Sequence, residues 1–241
     1  MVKIRNPVKK VLYGEEERKF YWSEGDVHIQ SGVIKEKDLK NSRVKTHLGK
    51  ELICIPANFI DQTERIERGP AVIRLKDIGI ILGNIPLDAK TKVLDAGAGC
   101  GMLAAFLART SKNVTSYEYN ETHLEIAKRN MLLLGVKFKL KNKNIYEGIE
   151  EKNIDVITLD LPEPWQVLPH TEKTLKSGGT LVAFLPHISQ VEKLVTAAKE
   201  RFIVAKVCEV IERDWIIDPP KIRPNHQGLM HTAFLVFLRK I

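Results

Sequence analysis

The stretch Val93–Leu103 reads Val-Leu-Asp-Ala-Gly-Ala-Gly-Cys-Gly-Met-Leu and constrains the fold more than any other part of the chain. A short apolar run leads into three glycines at alternate positions, and an apolar helical pattern follows. Glycine lets a backbone turn sharply and approach a ligand closely. The stretch therefore predicts a strand, a tight turn and a helix start. A cofactor is expected over the end of the strand, beside the free N–H groups of the helix.

Predicted strands and helices alternate from Lys92 onward. The strands are predicted over 93–96, 114–119, 137–141, 155–161 and 179–185, and the helices over 102–110, 121–134, 165–175 and 188–202. This alternation indicates crossover units and a parallel sheet covered by helices on both faces. Two further long strands, 203–217 and 231–240, have no helix between them and are expected to pair antiparallel. The expected fold class is α/β, with a seven-stranded, mostly parallel, Rossmann-like sheet and one antiparallel strand near its edge.

The first 58 residues have a different sequence pattern from the rest of the chain. Short β-prone runs at 10–13, 19–22, 27–29 and 52–55 are separated by turn signals, which predicts a small all-β domain. The domains expected are this β domain over 1–58, a helical linker over 59–91 and a cofactor-binding domain over 92–241. A substrate-binding appendage and a structural cap both fit the pattern of the first domain.

The composition indicates which class of binding partner and which cellular compartment to expect. The chain has 241 residues and a net charge of +8, which favours a polyanionic partner, although a merely basic surface gives the same balance. Its three scattered cysteines form neither a secreted disulfide framework nor a zinc site, and no metal is expected. The sequence has no apolar run of about 18 residues and no signal-peptide core, so we expect a cytoplasmic protein without a membrane partner.

The spacing of the glycines distinguishes between cofactors. A dinucleotide-binding turn requires a third glycine where Met102 stands. Here that glycine comes one residue earlier, at Gly101, and G-x-G-x-G is the spacing of S-adenosylmethionine-dependent methyltransferases. Glu118, at the end of the next predicted strand, is placed to accept two hydrogen bonds from a ribose diol. The alternative interpretation of Glu118 is a surface residue at a strand end.

The predicted cofactor site combines the glycine turn with the ends of the neighbouring strands. Asp95 is expected to support the turn and to reach the methionine amine. Asn144 is expected to contact the adenine of the cofactor through its amide oxygen. The full predicted set is Asp95, Gly97, Ala98, Gly99, Cys100, Gly101, Met102, Leu103, Glu118, Tyr119, Asn144, Ile145 and Asp160.

A second motif, Leu159-Asp-Leu-Pro-Glu-Pro-Trp165, follows a predicted strand. It places Asp160 at the carboxyl end of that strand, in the crevice where open parallel sheets bind ligands. The two prolines stiffen the loop. Trp165 offers a ring for stacking against a substrate, and a tryptophan packed into the core is the equal alternative.

Together the two motifs resemble the tRNA (adenine-N1)-methyltransferases of archaeal and bacterial type, a class I S-adenosylmethionine-dependent family that makes 1-methyladenosine in the T-loop. Further matching segments extend the resemblance over nearly the whole chain: Gly25–Gly32, Arg68-Gly-Pro70, Lys76-Asp77, Arg223-Pro224 and His231-Thr232. The resemblance implies S-adenosyl-L-methionine as the cofactor, tRNA as the partner and a homotetramer as the assembly.

The same resemblance implies roles for the residues of the second motif. The target adenine must leave its stack, at a cost of a few kcal/mol, before N1 can meet the methyl group. Asp160 is the expected catalytic residue, because its carboxylate can accept a hydrogen bond from the exocyclic amino group of that base. Trp165, Arg223 and His231 are the candidate substrate contacts, and the last two are as readily structural.

Three positions depart from the family pattern: Ala71, Asn144 and Gln227 stand where the family or its wider class usually has Gln, Asp and Arg. They leave two alternatives open. One is a methyltransferase of a small molecule such as a tetrapyrrole precursor, and the other is a non-catalytic RNA-binding partner of an active paralogue. Whether one adenine or two adjacent adenines are methylated also stays open.

Overall fold

The computed structural model describes residues 5–14, 19–69, 72–226, 228 and 230–241 of the protein. The chain divides into two compact units. The first comprises Met1–Glu67 and Leu132–Gly135, and the second comprises Arg68–Met131 and Val136–Ile241. The division at Glu67 falls inside the segment predicted as a linker.

The first unit is built on a four-stranded antiparallel sheet with the order β2-β1-β6-β5. Its elements are β1 (Lys10–Tyr13), β2 (Lys19–Trp22), the hairpin of β3 (Val27–Ile29) and β4 (Gly32–Ile34), a 3-10 helix (Glu36–Lys40), β5 (Arg43–Lys45), β6 (Glu51–Pro56) and α1 (Phe59–Thr63). Leu12, Ile34 and Leu52 are among the side chains of its apolar core. Helix α1 begins at a capping box, in which Asn58 and Asp61 each accept a hydrogen bond from the other's backbone N–H.

The second unit is built on a seven-stranded sheet with the order β12-β15-β11-β10-β7-β8-β9. The strands are β7 (Lys92–Ala96), β8 (Asn113–Glu118), β9 (Lys139–Asn142), β10 (Ile154–Leu159), β11 (Leu175–Leu185), β12 (Phe202–Glu209) and β15 (Phe234–Lys240). Strand β15 pairs antiparallel with both β11 and β12, whereas β7 to β11 pair parallel. This confirms the predicted mostly parallel sheet with one antiparallel strand next to its edge.

Helices connect these strands and cover the sheet. They are α2 (Leu75–Gly83), α3 (Met102–Thr110), α4 (Glu121–Leu134), α5 (Leu168–Thr174) and α6 (Ile188–Ala198). Leu94, Ile157 and Leu181 of the central strands are fully buried, as expected where both faces of a parallel sheet are covered. Over the described part of the chain, no helix is both long and apolar enough to cross a bilayer.

The prediction of one long strand over 203–217 is wrong. Strand β12 ends at Glu209, and the chain continues into a separate hairpin of β13 (Trp215–Asp218) and β14 (Lys221–Pro224). The reason is the length of the partner strand, because β15 offers ladder positions only from Phe234 to Lys240. The preceding helix also ends earlier than predicted, at Ala198, since Phe202 already pairs with Lys240.

A buried ion pair fixes α2 inside the second unit. The Lys76 ammonium lies 2.9 Å from a carboxylate oxygen of Asp77, and both side chains are almost completely buried. Lys76 also donates to the backbone carbonyl of Val210 at 2.7 Å and to the hydroxyl of Thr232 at 2.6 Å. Thr232 in turn donates to Asp77 at 2.8 Å. Two segments that carry the family resemblance, 76–77 and 231–232, therefore meet in one polar cluster.

Candidate active site

The three glycines of the turn after β7 all adopt the left-handed conformation. Gly97, Gly99 and Gly101 have φ angles of +83°, +54° and +79°. Residues with a side chain rarely adopt this region, so the alternating glycines are a requirement of the backbone path. The path brings the chain from β7 directly into α3, which starts at Met102.

The turn is packed tightly against the neighbouring strand ends. A Cβ atom added to Gly97 would lie 2.1 Å from the backbone carbonyl oxygen of Asp160. The N–H groups of Gly97 and Ala98 both donate to the carbonyl of Tyr117 at 3.1 Å, and the N–H of Asp160 donates to the carbonyl of Ala96 at 2.9 Å. The glycine turn and the loop that begins at Asp160 are therefore one closely fitted structure.

Helix α3 presents a free N-terminus to this turn. Its first residue follows Gly101, and among the described residues no side chain caps the helix there. The first N–H groups of a helix lack intrahelical partners and carry a partial positive charge. They are available to a ligand carboxylate, such as that of a methionine moiety.

Glu118 is held by two backbone N–H groups. Its Oε2 atom accepts from Gly99 at 2.8 Å, and its Oε1 atom accepts from Asn120 at 2.9 Å. The side chain is buried at the end of β8. A carboxylate oxygen has more than one lone pair, so both oxygens can still accept from a ribose diol. The side chain that the sequence predicted to hold the ribose is thus fixed in place by the glycine turn itself.

Asp95 braces three strands of the sheet. The register places it directly opposite Ser116 on β8 and Thr158 on β10. Ser116 donates to one carboxylate oxygen of Asp95, and Thr158 donates to the other at 2.7 Å. Burial raises the pKa of Asp95, while these two hydrogen bonds act in the opposite direction. This geometry suits the supporting role predicted for Asp95, since both of its oxygens are bound within the protein.

Asp160 is the free carboxylate of the site. Among the residues that the structure describes, none donates a hydrogen bond to its side chain. Burial raises the pKa of Asp160 to about 7, and the negative charges of Asp95 and Glu118 act in the same direction. Three carboxylates therefore gather beside the glycine turn, and their combined field favours a cationic ligand.

Two residues that the sequence did not suggest hold the Asp160 loop. The hydroxyl of Tyr146 accepts a hydrogen bond from the N–H of Glu163 at 3.2 Å, and the amide of Gln190 donates to the carbonyl of Pro162 at 2.9 Å. Burial raises the pKa of the Tyr146 phenol. No local pattern could have indicated either residue, because both bind backbone atoms of a loop that is distant in the sequence.

Trp165 packs against the core of the second unit. It lies in a 3-10 helix (Pro164–Val167), and its ring is partly buried against the buried side chains of the central strands. The ammonium of Lys193 lies 5.0 Å from the centroid of the ring. This arrangement agrees with the interpretation of Trp165 as a tryptophan packed into the core.

Asn144 caps the short 3-10 helix (Ile145–Glu147) that follows β9. Its Oδ1 atom accepts from the N–H of Tyr146 at 3.1 Å, and its Nδ2 atom donates to Glu147 at 3.1 Å. Together with Tyr119, which is 69% exposed, Asn144 lines a cleft of about 650 Å³. This places Asn144 and Tyr119 on an accessible surface that begins at the end of β8.

The remaining members of the predicted cofactor set have buried side chains. The side chains of Ala98, Cys100, Met102, Leu103 and Ile145 are buried. Burial also raises the pKa of the Cys100 thiol.

The candidate substrate residues near the C-terminus occupy different settings. Arg223 is exposed on β14, opposite Ile216 of the hairpin. His231 is bound on both ring nitrogens, by Glu209 at 2.8 Å and by the carbonyl of Pro186 at 3.0 Å. The Pro186 carbonyl and the Glu209 carboxylate both raise the pKa of His231. The structure thus gives His231 a bracing role between β12 and the end of β11.

Two of the three departures from the family pattern, Ala71 and Gln227, lie outside the described residues. Within the described ranges, no group of histidine, cysteine, aspartate and glutamate side chains is arranged to hold a metal ion.

The site consists of the glycine turn, the two carboxylates at neighbouring strand ends and the Asp160 loop. The sequence that carries it matches a known protein family. The model of the tRNA methyltransferase complex GCD14 subunit matches residues 66–231, which is well over half of the chain. The chain belongs to this family. Its fold is that of the class I S-adenosylmethionine-dependent methyltransferases.

Individual proteins are similar to this chain over a larger share of its length than the family model matches. The chain is 38% identical over 205 residues to the tRNA (adenine(58)-N(1))-methyltransferase TrmI of Thermus thermophilus, covering 82% of this chain and 80% of that protein. A crystal structure of the tRNA (m1A58) methyltransferase TrmI from Aquifex aeolicus superposes with a TM-score of 0.85 at 25% identity, covering 98% of both chains. An S-adenosylmethionine-dependent O-methyltransferase from Thermotoga maritima superposes with a TM-score of 0.89 at 26% identity, covering 98% of this chain and 94% of that one.

Proposed function

We propose that this protein transfers the methyl group of S-adenosyl-L-methionine to N1 of an adenine in the T-loop of tRNA. The observation that carries the proposal is the position of Asp160. Its carboxylate has no hydrogen-bond donor among the described residues, and its backbone lies directly against Gly97 of the cofactor turn. Family membership supports the same reaction, because similar proteins are adenine-N1 methyltransferases of tRNA.

The residues present fit S-adenosyl-L-methionine. The described atom nearest to a Cβ added at Gly99 is the carbonyl oxygen of Gly97, 3.9 Å away, so a ligand can approach the backbone of Gly99 closely. The free N–H groups of α3 suit the carboxylate of the methionine moiety, and Glu118 suits the ribose. Asn144 and Tyr119 line the cleft in which we place the adenine ring. The negative field of Asp95, Glu118 and Asp160 favours a sulfonium cation.

The cofactor supplies a methyl group that its sulfonium centre has already activated for transfer. The protein has to position the base so that the lone pair of N1 points at that carbon. Asp160 accepts a hydrogen bond from the exocyclic amino group of the adenine and thereby fixes the edge that carries N1. Transfer of the methyl group from the sulfonium to N1 would place the positive charge on the base that Asp160 holds.

That charge makes the exocyclic amino group more acidic. Ionised Asp160 stabilises the charge as it develops and can accept the amino proton, which leaves the methylated base neutral. Because the Asp160 loop is fastened by Tyr146 and Gln190, the carboxylate needs little rearrangement to do so.

We also propose a homo-oligomer, with a tetramer implied by the family, and a cytoplasmic location. Support for an assembly comes from the apolar surface of β12 and the β13–β14 hairpin. Ile203, Trp215, Ile217 and Ile222 each expose more than half of their surface. Large exposed apolar surfaces of this kind mark protein interfaces. For the domains, we propose a small β domain over 1–58, a linker over 59–91 and a methyltransferase domain over 92–241.

Mass spectrometry of nucleosides tests the proposed reaction. Unmodified tRNA incubated with the protein and S-adenosylmethionine should gain 1-methyladenosine, and digestion with mapping should place it in the T-loop. Asp160→Ala should lose most of this product while still binding the cofactor in calorimetry. A protein that binds the cofactor and leaves every adenine of the tRNA unmethylated would refute the proposed reaction. Failure of cofactor binding by the unmodified protein would refute the enzyme interpretation altogether.

A further inference from the structure

A row of lysines follows the amino-terminal edge of the sheet, opposite the edge that carries the candidate active site. Lys92 is the first residue of β7, Lys112 directly precedes β8, and Lys139 is the first residue of β9. Lys137 and Lys152 each lie two residues before a strand, β9 and β10 respectively. These five exposed lysines line a cleft of about 530 Å³, which we call the lysine groove.

The positive charge of this groove is not neutralised locally. No ion pair of the described residues involves Lys112, Lys137, Lys139 or Lys152. One acidic residue, Glu151, lines the groove. It is engaged elsewhere, with Lys141 at 2.6 Å and with the hydroxyl of Tyr117.

A second acidic side chain, which is bound to the backbone of Lys92, is engaged as well. Asp155 lies on β10, and one of its oxygens accepts from the backbone N–H of Lys92 at 2.8 Å. Its other oxygen pairs with the ammonium of Lys176 at 2.5 Å. The four lysines without ion pairs therefore have their charge available to a ligand.

The order of the strands turns these lysines into a linear array. Strands β10, β7, β8 and β9 are adjacent in the sheet in that order. Neighbouring strands lie about 4.8 Å apart, so their four starting points span about 14 Å. One nucleic-acid strand carries a phosphate for about every 3.4 Å of helix axis, so this span corresponds to about four phosphates.

We propose that the lysine groove binds the phosphate backbone of RNA, as a second contact with the tRNA substrate away from the methylated base. Exposed lysines act as flexible point charges, which suits a continuous polyanion better than a small anion that needs a rigid set of donors. The strands are four to six residues long, so the groove lies about 13–20 Å from the Asp160 edge. A folded RNA with several arms can reach both edges. The inference rests on the proposed function in naming tRNA as the RNA.

The test compares two triple variants that lose the same charge. The groove variant carries Lys112→Ala, Lys137→Ala and Lys139→Ala. The control variant carries Lys128→Ala, Lys173→Ala and Lys199→Ala, which are exposed positions on or beside α4, α5 and α6. Dissociation constants for unmodified tRNA are measured over a series of salt concentrations, and cofactor affinity is measured by calorimetry.

The groove variant should bind tRNA about tenfold or more weakly at physiological salt, and its plot of log affinity against log salt should be shallower by about 2–3. Its KM for tRNA should rise while kcat and cofactor affinity stay unchanged. The control variant should keep the slope of the unmodified protein. The proposed groove would be refuted if the groove variant had the same salt slope and the same tRNA affinity as the unmodified protein. It would also be refuted if the control variant lost as much tRNA affinity as the groove variant.

Failure of the groove and failure of the proposed function give different results. If the unmodified protein methylates tRNA but the groove variant behaves identically, the groove is wrong and the reaction stands. If the unmodified protein binds tRNA with a salt slope that depends on the groove, yet forms no 1-methyladenosine, the reaction is wrong and the groove stands.

Discussion

The backbone of Gly97 lies so close to Asp160 that a methyl group on the glycine would sit 2.1 Å from the carbonyl oxygen of the aspartate. The glycine turn and the loop that begins at Asp160 are therefore in direct contact, although 63 positions separate Gly97 from Asp160 in the chain. This contact makes the position of the proposed base-orienting carboxylate depend on the residue type of the first glycine in the turn.

Gly97→Ala should destabilise the protein and abolish cofactor binding. The added methyl group meets a backbone atom that cannot rotate away, and φ at this position is +83°. Left-handed strain and overpacking together cost about 2–5 kcal/mol of the free energy of unfolding. Urea unfolding and calorimetry with S-adenosylmethionine measure the two effects.

Gly135→Ala is the matched control for that substitution. Gly135 has φ of +63°, but no atom of the described part of the chain lies within 4 Å of the position of an added Cβ. The cost should be limited to the conformational strain, about 1–2 kcal/mol, with unchanged cofactor affinity. If Gly97→Ala cost no more than Gly135→Ala, the close packing on Asp160 would have no energetic consequence.

Methyl transfer should increase as the pH rises through about 7. The pKa of Asp160 is raised to about 7, and the ionised form is the better hydrogen-bond acceptor for the amino group of adenine. The profile of kcat/KM for tRNA against pH reports this group in the free enzyme. A flat profile between pH 6 and 8 would contradict the assignment of Asp160. In Asp160→Asn, the remaining activity should no longer follow this titration.

Asp160→Asn should also stabilise the protein at pH 8. An acid whose pKa is raised in the folded state binds its proton more tightly there than in the unfolded state. The folded protein therefore loses stability as the pH rises from about 4 to about 7. Removing the charge should recover on the order of 1–3 kcal/mol at pH 8 and little at pH 4. Thermal unfolding at both pH values measures the difference, and an equal gain at both would point to a cause other than ionisation.

Glu118→Gln should weaken cofactor binding. The two carboxylate oxygens of Glu118 accept from the N–H groups of Gly99 and Asn120, and an amide can satisfy only one of them. We expect a dissociation constant for S-adenosylmethionine that is higher by about ten- to a hundredfold. Glu121→Gln, an exposed change in the first turn of α4, serves as the control and should bind normally. Unchanged affinity in Glu118→Gln would remove this residue from the cofactor site.

Asp77→Ala should lower the free energy of unfolding by about 3–5 kcal/mol, because it leaves the buried ammonium of Lys76 without its counter-charge. The hydroxyl of Thr232 loses its acceptor as well. Urea unfolding provides the measurement. Glu51→Gln breaks the exposed pair with Lys45 and should leave the midpoint nearly unchanged. Similar midpoints for both variants would mean that the buried cluster contributes little.

Much of the fold could be predicted because its signals are local. The glycine turn, the start of α3 at Met102 and the extent of α4 follow from neighbouring residues, and each was predicted at its observed bounds. The antiparallel strand followed from the missing crossover helix. The single strand over 203–217 was wrong because its true end is set by the length of β15, which lies in another part of the sequence.

The sequence by itself determined where the glycine turn lies and which family the chain resembles, since short-range spacing and residue type are enough for both. The tertiary structure alone decided how the site is organised. Among the described residues it left the Asp160 carboxylate without a hydrogen-bond donor. It raised the pKa of Asp160 by burial and further through the charges of Asp95 and Glu118, and it fastened the Asp160 loop through Tyr146. It also aligned the lysine groove along four strand starts. These properties depend on burial and on distances between residues far apart in the chain, and only the folded sheet sets those distances.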